Sequence, residues 1–464
     1  MKNLSRRSFL AAGAMAMAAP SFAAPYPRLT IGSRILDVKG KAAKVFGIVG
    51  PTGKPGLDMV FGERFAVELK NDLAEETAIH WHGLTPPTAL DGVPHLSASA
   101  LQAGEARIYD FENGKAGTHW MHSHLGLQEQ NLLAAPLIVR ETATPVFDEQ
   151  EHVVMLHDFT FRDPIEILAE LKSGGGAHAM HNMGAEKMDA SMMRMMAADI
   201  KYDAMLANDR TLDDPEVLRV SKNGAVRLRI INGCAATNLW IDLGELQGDL
   251  IAVDGNSVLP FKAKRFPLAV SQRADIRLQV PQGSGAWPIL FQSEGSTLRS
   301  GIILQSGEGK VVKLSDQGEA GDVVDLAMEA QLKSLAKLLD EPATHSELVE
   351  LTGGAENYAW GFNNKSMMHD VLFNVRQGER VEVVLRNMTS MAHPMHMHGH
   401  YFKVVGIGGK RIDGAVRDTV LVPVGEQVTI QFQADNPGNW AFHCHHLYHM
   451  NSGMMASIAY AGAA

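Results

Sequence analysis

Four times this chain places two histidines two residues apart: His80/His82, His122/His124, His396/His398 and His443/His445. On a β-strand residues i and i+2 point to the same face, so each pair sets two imidazoles side by side and lets both approach one site. Eight of the chain's 20 histidines fall in these pairs, which core packing of satisfied imidazoles does not explain. The fourth pair encloses a cysteine, His443-Cys444-His445. A thiolate there serves better as a soft metal ligand than as half of a disulfide with Cys234, the other of the two cysteines. Cys234 follows an apolar run and reads as a small buried residue.

A repeat relates the pairs. Residues from Gly62 to Gly83 align without gaps onto Gly378 to Gly399, with His80 on His396 and His82 on His398. A second segment, GTHWMHSH at 117–124, aligns onto NWAFHCHH at 439–446, with His122 on His443 and His124 on His445. The departures are equally informative. Where the second copy has His393, Cys444, His449 and Met454, the first has Thr77, Ser123, Gln128 and Leu133. Two histidines, a cysteine and a weak axial methionine make the ligand set of a blue, electron-transferring copper, present in the last copy alone. The eight paired imidazoles suit a cluster of three further coppers held between the two ends. An electron reaching the Cys444 sulfur then has one residue of backbone to cross to His443 or His445. Four stored electrons are the number that takes dioxygen to two waters.

The elements that position these residues are strands. Phe65, Val67 and Leu69, and again Val381, Val383 and Leu385, recur at every second position beside the charged Glu68 and Glu382 as half-buried strands do, and 44 glycines and 20 prolines punctuate short apolar runs. A third copy without histidines lies between, in GAVRLRIINGCAATNLWIDL from Gly224 and GAWPILFQSEG from Gly285. The expectation is an all-β chain of three similar antiparallel sandwiches at 26–143, 150–310 and 345–464. Helices are exceptions: Asp163-Pro164 caps one in DPIEILAELKS, and residues 325–339 carry helical spacing that would bridge the second and third domains.

At 464 residues, 45% hydrophobic and 20% charged, the chain is long enough for three cores. Ser5-Arg6-Arg7-Ser8-Phe9-Leu10, a short Ala/Met run and Ser21-Phe22-Ala23 form a twin-arginine leader over 1–24, which implies export to the periplasm. No stretch offers the roughly 20 apolar residues of a membrane span. The net charge of −10 becomes −13 without residues 1–23, which hold Lys2, Arg6 and Arg7 and no acid; this argues against nucleic acid and suits cations.

The segments HWHG, HWMHSH, HPMHMHGH and HCHHLYHMNSGMM together resemble the signatures of the multicopper oxidase family, over essentially the whole mature chain. The resemblance implies three cupredoxin-like Greek-key domains and four coppers. It makes His80 and His396 type 2 ligands; His82, His122, His124, His398, His443 and His445 type 3 ligands; and His393, Cys444, His449 and Met454 the type 1 set. Asp91, eleven residues after His80, stands where similar oxidases relay protons, although an aspartate before Gly92 also suits a plain turn. A second acid often follows the last histidine in the family's cuprous oxidases; this chain has Met450.

Methionine is abundant, 24 in all, with Met180, Met183, Met188, Met192, Met193, Met195 and Met196 in an insert at 176–197. Thioethers prefer Cu(I), so Met188, Met192 and Met195 are candidate substrate-copper ligands, against the plainer reading of an apolar helix face. Met391 is placed as a substrate-copper methionine is in the cuprous oxidases the chain resembles, while Thr389 stands where those carry an aspartate. The leading reading is a monomeric periplasmic oxidase that passes electrons from Cu(I) or phenols to O2 and serves copper tolerance. The alternatives are a general laccase, or a non-enzymatic protein that sequesters copper. A nitrite reductase needs no fourfold His-x-His set.

Overall fold

The computed structural model describes residues 26–142, 148–174, 197–336, 341–354, 357–366 and 370–462. The leader at 1–24 and the candidates Met188, Met192 and Met195 lie outside them.

Three pairs of β-sheets follow one another along the chain. In the first, a sheet of Arg28–Val38, Lys41–Val49, Phe65–Asn71 and Ala106–Phe111 faces one of Leu57–Val60, Ile79–His82, Gly117–Ser123 and Ala134–Arg140. The expected alternation sets the packing: Phe65, Val67 and Leu69 are buried in the first core, Val381, Val383 and Leu385 in the third. Each pair of sheets repeats two parallel strand pairings within mainly antiparallel sheets. Arg28–Val38 beside Phe65–Asn71 corresponds to Glu149–Phe159 beside Ala225–Asn232 and to His345–Gly354 beside Arg380–Asn387. Leu57–Val60 beside Ala134–Arg140 corresponds to Glu216–Arg219 beside Arg299–Ser306 and to Val371–Val375 beside Met455–Tyr460. The middle copy lacks the paired histidines but keeps the same frame.

The helix Pro164–Lys172 forms as its sequence directs, with the Asp163 side chain accepting from the Ile165 N–H at 2.9 Å and proline in the first turn. The helix expected over 325–339 does not. Among its described residues only the 3-10 turn Glu329–Gln331 appears. Tertiary anchors override the helical spacing: the Glu329 carboxylate pairs with Arg417 at 2.8 Å, Leu332 packs into the second core, and Ser334 bridges to Val258. Both cysteines are free and buried. No helix among the described residues is long and apolar enough to cross a membrane.

Candidate metal centre

The same buried asparagine ends the strand that leads toward each ligand strand. Asn71, Asn232 and Asn387 each accept from the N–H two residues on, Leu73, Cys234 and Thr389, and each donates through Nδ2 to loop carbonyls. This turn fixes where the next strand starts, Ile79–His82 in the first copy and His393–Met397 in the last. Those strands pair with Gly117–Ser123 and Asn439–Cys444, setting His80 opposite His122 and His396 opposite His443. Gly83 and Gly399 close the two His-x-His-Gly segments at φ of +91° and +66°, and a side chain there would strike His119 or Trp440.

All eight paired histidines are buried and converge from the two end units. Ligand atoms of His82, His122 and His445 lie within 4.8 Å of one another, as do those of His124, His398 and His443; His80 and His396 face each other with Nε2 atoms 3.5 Å apart. Each His-x-His pair therefore serves one cluster but divides between two of its positions. The repeat explains the pattern. Exchanging the copies takes His82, His122 and His445 onto His398, His443 and His124, one triad onto the other, and His80 onto His396.

Among the described residues three buried carboxylates surround the cluster, and sequence reasoning found one. The carbonyl of Asp91 accepts from His80 Nδ1 at 3.1 Å, its Oδ1 lies 3.2 Å from the same atom, and its Oδ2 is 2.7 Å from His398 Nδ1. Gly92 lets this loop close on the His80 strand, since a Cβ there would overlap the Ile79 carbonyl at 1.8 Å. Asp418 does the mirrored work: its carbonyl takes His396 Nδ1 at 2.8 Å and its Oδ1 lies 3.1 Å from His82 Nε2, while Arg273 grips it from the middle unit at 2.7 Å. The mirror breaks at the ring atoms. His398 is held by Nδ1 and offers Nε2, whereas His82 is held by Nε2 and offers Nδ1. The third carboxylate, Glu129, lies 2.8 Å from His122 Nδ1.

Cys444 Sγ lies 3.6 Å from His393 Nδ1 and 3.8 Å from His449 Nδ1, and those two nitrogens are 3.2 Å apart. Met454 is fully buried, and its carbonyl accepts the Cys444 N–H at 3.0 Å. The far ring edges are also held: the Thr389 hydroxyl is 2.7 Å from His393 Nε2, and Asp199, which sequence reasoning missed, is 3.6 Å from His449 Nε2 and 3.2 Å from His446. In the first copy Thr77 and Ser123 both donate to Gln128 Oε1 at 2.8 Å, with Leu133 buried. A neutral hydrogen-bonded knot there stands where the last copy has His393, Cys444 and His449.

Burial, then the neighbouring imidazoles, pushes His82, His122, His124, His393, His396, His398 and His445 well below the usual histidine value; burial also lowers His443, to about 4. Neutral imidazoles offer lone pairs, as metal binding requires. Nδ1 of His82 and Nε2 of His122 and His445 have no hydrogen-bond partner among the described residues. Three such atoms turned toward one another in a dry site fit a metal ion, which would satisfy all three. The His393–Cys444–His449 donors, one soft thiolate and two imidazoles, fit copper. Burial pushes the Cys444 thiol up, so metal binding there must displace its proton.

Met391 is buried and lines a cavity between the second and third units with Ala236, Val270, Glu294 and His446. Burial raises the Glu294 carboxyl to about 7, although Val324 N–H and Asn238 donate to it at 2.6 and 2.7 Å. Its folded value lies above the ordinary 4.5. Its stabilising contribution is thus full below the unfolded value and is lost as pH rises through about 7. Unfolding measured from about pH 4 to pH 8 should show Glu294→Gln losing about 3 kcal/mol less stability than the parent over that interval. Parallel pH profiles would contradict the assignment.

Profiles of the multicopper oxidase family match residues 31–144, 150–307 and 340–463. The chain is 28% identical to multicopper oxidase MmcO of Mycobacterium tuberculosis, over 88% of this chain and 81% of that protein. It is 27% identical to copper resistance protein A of Escherichia coli, over 93% and 91%. Its fold matches that of Fet3p, a multicopper oxidase that functions in iron import, with a TM-score of 0.77 at 18% identity over 93% of this chain and 90% of that one.

Proposed function

The chain belongs to the multicopper oxidase family, and from that premise we propose that it couples four one-electron oxidations, of Cu(I) or phenolic donors, to the reduction of O2 to two waters in the periplasm. It is an oxidoreductase that uses oxygen, built of cupredoxin-like units. In this reading His393, Cys444, His449 and Met454 hold a type 1 copper. His80 and His396 hold a type 2 copper, and the triads His82/His122/His445 and His124/His398/His443 hold the type 3 pair. Four bound coppers supply the one-electron redox chemistry and the reduction of oxygen.

One observation carries the reading: the Cys444 thiol sits with two imidazoles in one site while its covalent neighbours, His443 and His445, each belong to a different triad of the other. The backbone on either side of Cys444 thus joins the donor-side ligand to both triads. Asp91, in contact with His80 and His398, moves protons at its Oδ1 between solvent and the cluster. Asp91 and Asp418 hold ring orientation, and burial of all eight imidazoles keeps bulk water from the cluster.

Copper tolerance is supported by the relatives named copper resistance protein A, and periplasmic location by the twin-arginine leader. The laccase reading, oxidation of phenols as the main task, is supported by the relative named laccase-2 of Botryotinia fuckeliana, 23% identical over 92% of this chain and 80% of that protein. Oxygen uptake by the copper-loaded protein, with Cu(I), Fe(II) or a phenol as donor, tests the function and ranks the donors.

A further inference from the structure

Exchange of the two copies accounts for every histidine of the eight-histidine cluster, and two carboxylates from unaligned loop positions serve matching histidines. Asp91 holds His80 and His398; Asp418 holds the matching His396 and His82. The third carboxylate has no such mate. Under the alignment that sets His124 on His445 and Gln128 on His449, Glu129 falls on Met450. The first copy thus carries an acid at the position where the last carries a thioether, so among the described residues only one triad has this partner.

Glu129 is 2% exposed. Its Oε2 lies 2.8 Å from Nδ1 of His122. Its Oε1 has no hydrogen-bond partner among the described residues and lies 3.9 Å from Nδ1 of His445. His122 and His445 belong to the same triad, and it is their opposite atoms, both Nε2, that are left without partners. The His122 Nδ1 also lies 3.1 Å from the Ser123 carbonyl, matching the 3.0 Å of His443 Nδ1 to the Cys444 carbonyl. The carboxylate is therefore an addition to the backbone contact common to both copies.

We propose that Glu129 is a positioning residue that takes the Nδ1–H of His122 on one oxygen and draws the Nδ1–H of His445, 3.9 Å away, toward the other by charge, aiming both Nε2 lone pairs at the copper of the His82/His122/His445 triad. A carboxylate behind a metal-bound imidazole fixes its tautomer and raises its basicity, and loss of such a partner typically weakens metal binding by about 10- to 100-fold. Clamping two rings at once also supplies the third triad member, His82, with a fixed pair of partners, since His82 is oriented separately by Asp418. The proposal rests on the type 3 reading of the two triads.

The test compares the parent with Glu129→Gln and Glu129→Leu, reading retained copper during dialysis against a chelator, the electron-spin signal of uncoupled copper, and the melting temperature of the copper-free proteins. The amide can serve one ring and leucine neither. Copper retention should therefore fall in the order Glu, Gln, Leu, by about 10- to 100-fold for leucine. The spin signal should rise as a lost ion leaves its type 3 partner unpaired. Blue absorption from the Cys444 site reports folding in each variant. A merely structural role predicts the reverse for the copper-free form, whereas replacing an incompletely paired buried acid by leucine should leave its melting temperature unchanged or raised. Equal copper retention in all three proteins would overturn the proposal. If the leucine variant fails to fold, parent-like retention in Glu129→Gln does the same. A parent that shows no coupled pair would instead refute the type 3 reading itself.

Discussion

Cys444→Ser is expected to lose the blue absorption, bind three coppers in place of four, and turn over at less than about one-hundredth of the parent rate. The physical reason is local. A serine hydroxyl is a hard, neutral donor, so the His393–His449 pair keeps its nitrogens 3.2 Å apart but loses the thiolate that selects copper and receives the electron. The substitution is compatible with folding, because the first copy carries Ser123 at the aligned position, buried and hydrogen-bonded to Gln128 at 2.8 Å. None of the eight cluster imidazoles is altered. Copper analysis, the visible spectrum and oxygen uptake check the three parts separately. Oxidase activity within tenfold of the parent would mean that electrons enter the cluster by a route that bypasses Cys444.

Asp91→Asn should leave copper content and blue absorption near those of the parent while lowering turnover by about 10²-fold or more, the usual scale for losing a positioned proton-transfer group. The asparagine Oδ1 can accept the His398 Nδ1–H that Asp91 accepts at 2.7 Å, and the backbone carbonyl still takes His80 at 3.1 Å. Ring orientation is then kept and proton transfer is lost. Replacing water by heavy water should slow the variant more than the parent. Turnover within about threefold of the parent, with copper retained, would reduce Asp91 to an orienting group. Copper loss equal to the activity loss would do the same.

The grouping of the histidines and Cys444 was legible because each motif is short. His-x-His, the enclosed Cys444 and the i+5 and i+10 positions of His449 and Met454 all lie on one strand and the turn after it, where spacing dictates direction. The fold was legible for a related reason: strand alternation at Phe65, Val67 and Leu69 recurs at Val381, Val383 and Leu385. The carboxylates around the cluster were not. Asp418 reaches His82 across 336 residues, and Asp199 reaches His449 from a segment with no pattern of its own. Single acids carry no periodic signal, so their placement follows only from how the copies pack. Glu129 had a trace in the sequence, its alignment with Met450, which becomes meaningful once Met450 is missed as an acid. The helix expected at 325–339 failed because Glu329 and Leu332 are claimed by different neighbours, and periodicity is blind to such competition.

Oxygen stoichiometry tests the central claim most directly. The copper-loaded protein is given a measured excess of oxygen and a limiting amount of a one-electron donor, and consumed O2 and released peroxide are counted together. One O2 should disappear for every four electrons supplied, with no peroxide found at any stage. One O2 for every two electrons, with peroxide accumulating, would show that the triads and the Cys444 site do not act as one four-electron unit.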